Sequence, residues 1–321
     1  MAGAHGRGDR LRRARVHLVV EIAALRMVGG QALGGGGSVR FHGSGWRAFD
    51  ARTLPPDPGG AEPRMTTARA GPILPLRGAR RGLRRERSRD LNADFTDVRY
   101  EIDAGVARIT IDRPEVYNAF RAETCEELIR AFEHAAYSQD VGVVVLAGAG
   151  ERAFCTGGDQ KAHAEAGGSY GGRGTIGLPV EQVHTAIRDC PKPVIARVQG
   201  YAIGGGNVLA ALCDLTIAGE SAVFGQVGPK MGSVDPGFGT AYLARVIGEK
   251  KARELWFLCR RYSAAEAVEM GLANIAVPDA ELDAEVERWC AELLERSPTA
   301  LAIAKRSLNA DSEHLRGLSS L

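Results

Sequence analysis

Backbone amides, rather than reactive side chains, are the first chemistry this sequence offers. Gly200-Tyr-Ala-Ile-Gly-Gly-Gly206 follows a compact apolar run, Pro193-Val-Ile-Ala-Arg-Val198, of strand length and β-branched character. Asn207-Val-Leu-Ala-Ala-Leu212 then reads as a buried helix opening off the glycines. A strand feeding a helix through three glycines leaves the first N–H groups of that helix unpartnered, backed by the positive end of the helix dipole. Such donors suit a developing anion, and glycine lets a bulky acyl group approach. Taken alone, a ligand-free turn fits the segment equally well. A second glycine turn, Phe154-Cys-Thr-Gly-Gly-Asp-Gln160, stands 47 residues earlier, counted from Gly158 to Gly205. Two N–H groups aimed at one oxygen are what thioester enolate chemistry requires, because the charge develops there.

The elements that must position these turns alternate strand and helix, which argues an α/β fold. Val98–Ile102 and Val106–Ile111 alternate with period two around Asp103-Ala-Gly105 and read as a hairpin, ended by Asp112-Arg-Pro114. Arg121–Tyr137 carries Leu128, Ile129, Phe132 and Ala136 at amphipathic helical spacing. Val141–Ala147 is a buried strand, Gly148–Leu178 a loop, and Val180–Arg188 a helix leading to the central strand. Leu215–Ala218 and Ala222–Phe224 read as a strand pair. Beyond Thr240 the chain is mostly helical, with one strand at Asn274–Val277. Gly148-Ala-Gly150-Glu-Arg-Ala153 imitates a dinucleotide fingerprint, but no helix opens there, which excludes a Rossmann site.

Charge divides the chain. Residues 1–93 hold 18 Arg, no Lys and 7 acids, a net of +11, whereas 94–321 hold 23 basic and 32 acidic groups, a net of −9. The first part is rich in Gly and Pro and reads as a largely disordered extension, with translated upstream DNA the favoured explanation over a presequence or a nucleic-acid-binding arm. Val16–Met27 is too short and too charged to span a membrane. The six cysteines, at 125, 155, 190, 213, 259 and 290, form no CxxC pair and read as reduced packing residues of a cytoplasmic protein. No His/Cys/Asp group has metal-ligand spacing, and His184 reads as a helix-face histidine rather than a catalyst.

Residues 95–321 resemble the crotonase (enoyl-CoA hydratase/isomerase) superfamily through Asn118-Ala-Phe-Arg121, Phe154–Asp159, Gly200–Gly206 and Phe224-Gly-Gln226. The resemblance implies a crotonase-type spiral of ββα units with a helical C-terminal part, and an acyl-CoA thioester as substrate. It assigns the oxyanion donors to the Gly158 and Gly205 amides and the CoA groove to Arg121, Thr156, Gln160 and Lys161. Hydratases of the superfamily use two glutamates, and their positions fall here on Val208 and Gly228, which cannot transfer a proton. Gly225-Gln-Val-Gly-Pro-Lys-Met-Gly-Ser-Val-Asp235 and Lys250–Trp256 instead resemble the branch of naphthoate synthase and 2-ketocyclohexanecarboxyl-CoA hydrolase, with details nearer the hydrolase.

That likeness implies hydrolytic C–C ring cleavage through a thioester enolate, giving pimeloyl-CoA. The alternatives are Dieckmann-type ring closure of o-succinylbenzoyl-CoA, or a non-catalytic crotonase remnant. Asp235 becomes the candidate acid–base group, with Ser233 beside it; Tyr170 is a second acid. Gln226, Gly228 and Trp256 match a pocket that holds bicarbonate in some naphthoate synthases, and here would hold an anion or water. No tightly bound cofactor is implied, since CoA belongs to the substrate. A homo-oligomer, trimer or hexamer, is expected, with neither membrane nor nucleic acid as a partner. Relatives usually continue through further helices that supply a late tyrosine, so an end at Leu321 reads as an incomplete C-terminus.

Overall fold

The computed structural model describes residues 94–174, 177–235 and 237–316. The readings made for residues 1–93 and for the last residues of the chain lie outside these.

Two sheets grow together. The hairpin forms as its alternation predicts, β1 (Val98–Asp103) against β2 (Val106–Ile111), antiparallel with Val98 opposite Ile111. After β2 the chain runs in repeats that each place one strand in a six-stranded sheet and the next in a four-stranded one. The pairs are β3 (Val143–Gly148) with β4 (Ala153–Cys155), β5 (Val194–Val198) with β6 (Tyr201–Ile203), and β7 (Leu215–Gly219) with β8 (Val223–Gly225). The larger sheet has the order β1-β2-β3-β5-β7-β10 and the smaller β4-β6-β8-β9, where β9 is Arg261–Ser263 and β10 is Ile275–Val277. Strands β3, β5 and β7 are parallel neighbours, as are β4, β6 and β8. The result is the spiral of ββα units.

Helices follow the strands: α1 (Ala122–Tyr137), α2 (Gln160–Glu165), α3 (Val180–Asp189), α4 (Gly205–Leu212) and α5 (Gly228–Met231). A π-turn at Gly237–Tyr242 leads into α6 (Leu243–Ile247) and α7 (Glu249–Leu258), and then α8 (Ala264–Glu269), α9 (Leu282–Leu294) and α10 (Pro298–Ala310). The larger sheet is apolar on both sides because both sides are covered. Ala196, Val198, Leu146 and Val144 face the main core with Leu128, Phe132 and Ile187 of α1 and α3. Val143, Val145, Ile195 and Ile217 face Leu282, Val286 and Cys290 of α9.

Three readings need correction. The loop proposed for Gly148–Leu178 contains β4 and α2, because a three-residue strand is too short to display a period. Leu215–Ala218 and Ala222–Phe224 are both strands but do not pair: they belong to different sheets, each joined to the preceding repeat. Beyond Thr240 there is a second strand, β9, on the edge of the smaller sheet.

Asn118 locks the segment between β2 and α1. It is fully buried and left-handed at φ 56°, a conformation Asn tolerates better than most residues. Its Nδ2 donates to the carbonyls of Ala149 (3.0 Å) and Ala153 (2.7 Å), and its Oδ1 accepts from the Arg113 N–H (3.0 Å). Asn118→Ala removes the partner of two buried carbonyls and of the half-buried Arg113 N–H, and is expected to lower unfolding free energy by about 2–4 kcal/mol in urea titration. Asn118→Asp, which turns the donor into an acceptor facing two carbonyls, should cost at least as much.

Candidate active site

The three small-sheet strands β4, β6 and β8 are parallel, so their carboxyl ends lie along one edge, and each ends in a glycine-containing turn. After β4, the Gly157 carbonyl accepts from Phe120 N (2.8 Å) and the Asp159 N–H donates to Phe120 O (2.9 Å). Strand alternation therefore turns the intervening Gly158 N–H away from Phe120. The Gly157 N–H is taken by Cys155 Sγ (3.4 Å), while the Gly158 N–H has no acceptor among the described residues. After β6, Gly204 takes φ 60° at the N-cap of α4, and Gly205 opens the helix with its N–H unpartnered among the described residues.

The two turns touch. A Cβ on Gly157 would lie 2.8 Å from Gly205 N, and one on Gly205 would lie 3.2 Å from Gly157 Cα and 2.6 Å from Phe120 Cζ. A Cβ on Gly206 would run into the Cys155 carbonyl. Only a backbone without side chains packs this closely. Burial pushes the Cys155 thiol up to about 12, so it is a packing group and not a nucleophile.

An ion network holds the first turn in place. Arg113 reaches Asp159 (3.0 Å) and Asp97 (3.5 Å), and Asp97 takes a two-point grip from Arg121 (2.8 and 2.9 Å) plus the Thr124 hydroxyl (2.5 Å). Asp159 also caps α2 by accepting from the Lys161 and Ala162 amides. Burial acts to raise the Asp97 carboxyl, but the bonds from Arg121 and Thr124 and the arginine charges outweigh it and hold it below 3.8.

A second cluster surrounds the third strand end. Asp235 Oδ1 accepts the Gly239 N–H (3.0 Å), and a Cβ on Gly239 would meet Asp235 Cβ at 2.5 Å and Val208 Cγ2 at 3.1 Å. The Gly239 carbonyl accepts from Trp256 Nε1 (2.6 Å). The Trp256 ring lies 2.7 Å from where a Gly228 Cβ would sit, and the Ser233 N–H donates to Gly228 O (2.9 Å). One chain of contacts thus joins Val208, Asp235, Trp256, Gly228 and Ser233. Gln226 is buried with its Nε2 unpartnered among the described residues.

This architecture has close parallels. The family described as Enoyl-CoA hydratase/isomerase matches residues 101–319. The chain belongs to that family. Among solved structures, an enoyl-CoA hydratase/isomerase from Xanthobacter autotrophicus Py2 is 35% identical with a TM-score of 0.61, the match covering 70% of this chain and 82% of that one. An enoyl-CoA hydratase from Mycobacterium avium subsp. paratuberculosis K-10 is 30% identical, TM-score 0.61, with 70% and 86% covered. One from Bacillus anthracis is 28% identical, TM-score 0.60, with 70% and 89% covered.

Within this enoyl-CoA hydratase/isomerase fold, Tyr170 comes to the first glycine turn. Its hydroxyl lies close against where a Gly158 Cβ would sit and accepts from Gln160 Nε2 (3.2 Å), which also donates to the Gly158 carbonyl (3.2 Å). Burial pushes the Tyr170 phenol up, opposed by the Gln160 bond, so the phenol stays protonated at neutral pH. Thr156 Oγ1 donates to Tyr117 O (3.3 Å). The Lys161 side chain is 81% exposed, 3.8 Å from Glu165, and Arg121 is engaged by Asp97. No group of three His, Cys, Asp or Glu could hold a metal among the described residues, and none of their helices is long and apolar enough to cross a membrane.

His184 carries more than its sequence suggested. It is fully buried, its ring edge-on to Phe238 at 5.8 Å, and its Nδ1 lies 3.9 Å from Asp235 Oδ2. The signal was available: a histidine on the apolar face of an amphipathic helix, beside Val183, Ile187 and the buried Arg188. Burial holds its pKa below 6.5 against the opposing charges of Asp235 and Glu181. An unfolded chain then binds more protons than the folded one below 6.5, so this contribution is full above that pH and lost on acidification. Asp97 acts in a separate window, its contribution lost only as pH falls below 3.8. Thermal melts should show stability falling between about pH 7 and 5 in the native protein and a flatter profile in His184→Gln.

Proposed function

We propose that this protein hydrolyses a C–C bond in the ring of a cyclic β-ketoacyl-CoA thioester, 2-ketocyclohexanecarboxyl-CoA, giving pimeloyl-CoA through a thioester enolate. The carrying observation is the pair of amides, Gly158 and Gly205, unpartnered among the described residues, on two turns in direct contact, with the Asp235 carboxylate held at Gly239, which Val208 also borders. The hydratase glutamates are replaced by Val208 and Gly228, while Asp235 and the Val208 side chain both border Gly239. That neighbourhood favours moving a proton at the thioester α-carbon over hydrating an alkene.

Water adds to the ring ketone and gives one proton to Asp235. The tetrahedral adduct then collapses: the bond between the former ketone carbon and the α-carbon breaks, and its electron pair passes to the thioester oxygen held by Gly158 and Gly205. Asp235 returns its proton to the α-carbon, so the balance is one water added. Ser233 hydrogen-bonds the ketone or its hydrate, and Tyr170 donates from the Gly158 side. Thr156, Gln160, Lys161 and Arg121 line the CoA groove. Gln226, Gly228 and Trp256 form the pocket for the attacking water.

Incubation with this thioester should yield a ring-opened product heavier by one water, detected by mass spectrometry. Recovery of unchanged thioester from a well-folded sample would overturn the assignment, and turnover of o-succinylbenzoyl-CoA to a closed ring would replace it. Asp235→Asn keeps shape and hydrogen bonding but removes the base. Its kcat should fall roughly 10²–10⁴-fold with little change in affinity for the thioester. Near-native turnover would return Asp235 to the role of a turn former.

A further inference from the structure

His184 has no place in the chemistry just described, yet its surroundings are unusual for a packing residue. It is 0% exposed, and neither ring nitrogen has a hydrogen-bond partner among the described residues. Buried polar atoms are nearly always paired, and an unpaired one calls for an explanation. Three charged groups surround the ring. Glu181 and Arg188 lie one turn away on either side along α3, and Asp235 faces it from the segment before the π-turn. The Arg188 guanidinium packs on the Phe238 ring (5.0 Å) and the Tyr242 ring (4.9 Å) and its Nη2 donates to the Ser312 hydroxyl (2.7 Å), while its Nε and Nη1 have no partner among the described residues. Asp235 is the acidic side chain that Nδ1 approaches, at 3.9 Å, about 1 Å beyond a normal hydrogen bond.

We propose that His184 is a positioning residue for Asp235: a neutral imidazole whose Nδ1–H donates to Asp235 Oδ2 when substrate seats the Ser233–Asp235 segment. The inference rests on the acid–base reading of Asp235. The Gly239 N–H holds Oδ1, and a donor at Oδ2 helps to fix the carboxylate plane. It also favours the ionised form that accepts the proton from water. A separation of 3.9 Å is one that catalytic hydrogen bonds can close when substrate binds. Neutrality matters. An imidazolium would form an ion pair and weaken the base, and the closed apolar setting beside Phe238 keeps the ring uncharged. Phe238 and Gly239 in the π-turn make this connection, since one supports the ring and the other the carboxylate.

Two variants separate donor from packing. His184→Phe keeps a ring but removes both nitrogens, and His184→Gln retains an amide donor. Turnover of the ring thioester should show a roughly 10–100-fold lower kcat in the Phe variant, an unchanged KM and an acid limb displaced to higher pH, with Gln restoring most of both. Wild-type kcat and acid limb in the Phe variant overturn the inference. So does a slower Phe variant whose acid limb is unmoved and which Gln does not rescue. ¹⁵N NMR of the histidine rings reads the contact without turnover. Adding the thioester should move the His184 Nδ1–H resonance downfield in the native protein and not in Asp235→Asn. An Nε2-protonated ring, or the same shift in Asp235→Asn, also overturns the inference. Absence of ring cleavage with the NMR signature intact counts against the proposed reaction alone. Loss of turnover in Asp235→Asn beside a normal Phe variant counts against His184 alone.

Discussion

The close approach of two backbone turns is the constraint on which the rest of this structure depends. Gly157–Gly158 and Gly204–Gly206 come from successive repeats of the spiral, and nothing but main chain separates them. A Cβ at Gly157 would meet Gly205 N, one at Gly205 the Phe120 ring and Gly157 Cα, and one at Gly206 the Cys155 carbonyl, so a side chain at any of the three must displace a neighbour. Short strands suffice there because each small-sheet strand is anchored twice, once in its own sheet and once through its connection to the larger one. The larger sheet supplies the rigidity, buried on both faces between the α1–α3–α4 layer and α9.

Around that contact the structure spends charged groups on position. The Arg113–Asp97–Arg121 network, with Thr124 and Asp159, ties the Phe120 segment to the first turn without entering it. Phe120 consumes the Gly157 carbonyl and the Asp159 amide, which orients the Gly158 N–H by elimination. On the far side, Gly239 is bound through its N–H by Asp235 and through its carbonyl by Trp256. Donors and carboxylate are thus held by separate scaffolds, which permits one to vary in evolution while the other stays. A family that keeps the amide pair and exchanges the acid–base group can change reaction without changing fold.

Much of this was legible in the sequence where a pattern was long enough to have a period. The β1–β2 hairpin, α1, α3 and the β5 strand follow from alternation or helical spacing, and the two glycine turns announced themselves by composition. The strands β4, β6, β8 and β9 have three residues each, below the length at which alternation can be read. Their existence follows from tertiary pairing, as does the separation of Leu215–Gly219 from Val223–Gly225. The π-turn had no local signal. In the site, Tyr170 was read as a loop residue able to reach in, although its contact at Gly158 had no local signal, and the i,i+4 pair His184 and Arg188 looked like an ordinary helix face until Phe238 and Asp235 closed over it.

In the proposed reaction the Gly158 and Gly205 amides converge on one oxygen. A crystal structure with a non-hydrolysable acyl-CoA thioester analogue tests this directly. The thioester oxygen should lie within about 2.7–3.1 Å of both Gly158 N and Gly205 N, with the acyl α-carbon facing Asp235. An oxygen bonded to neither amide, with the acyl chain directed away from Asp235, would contradict it.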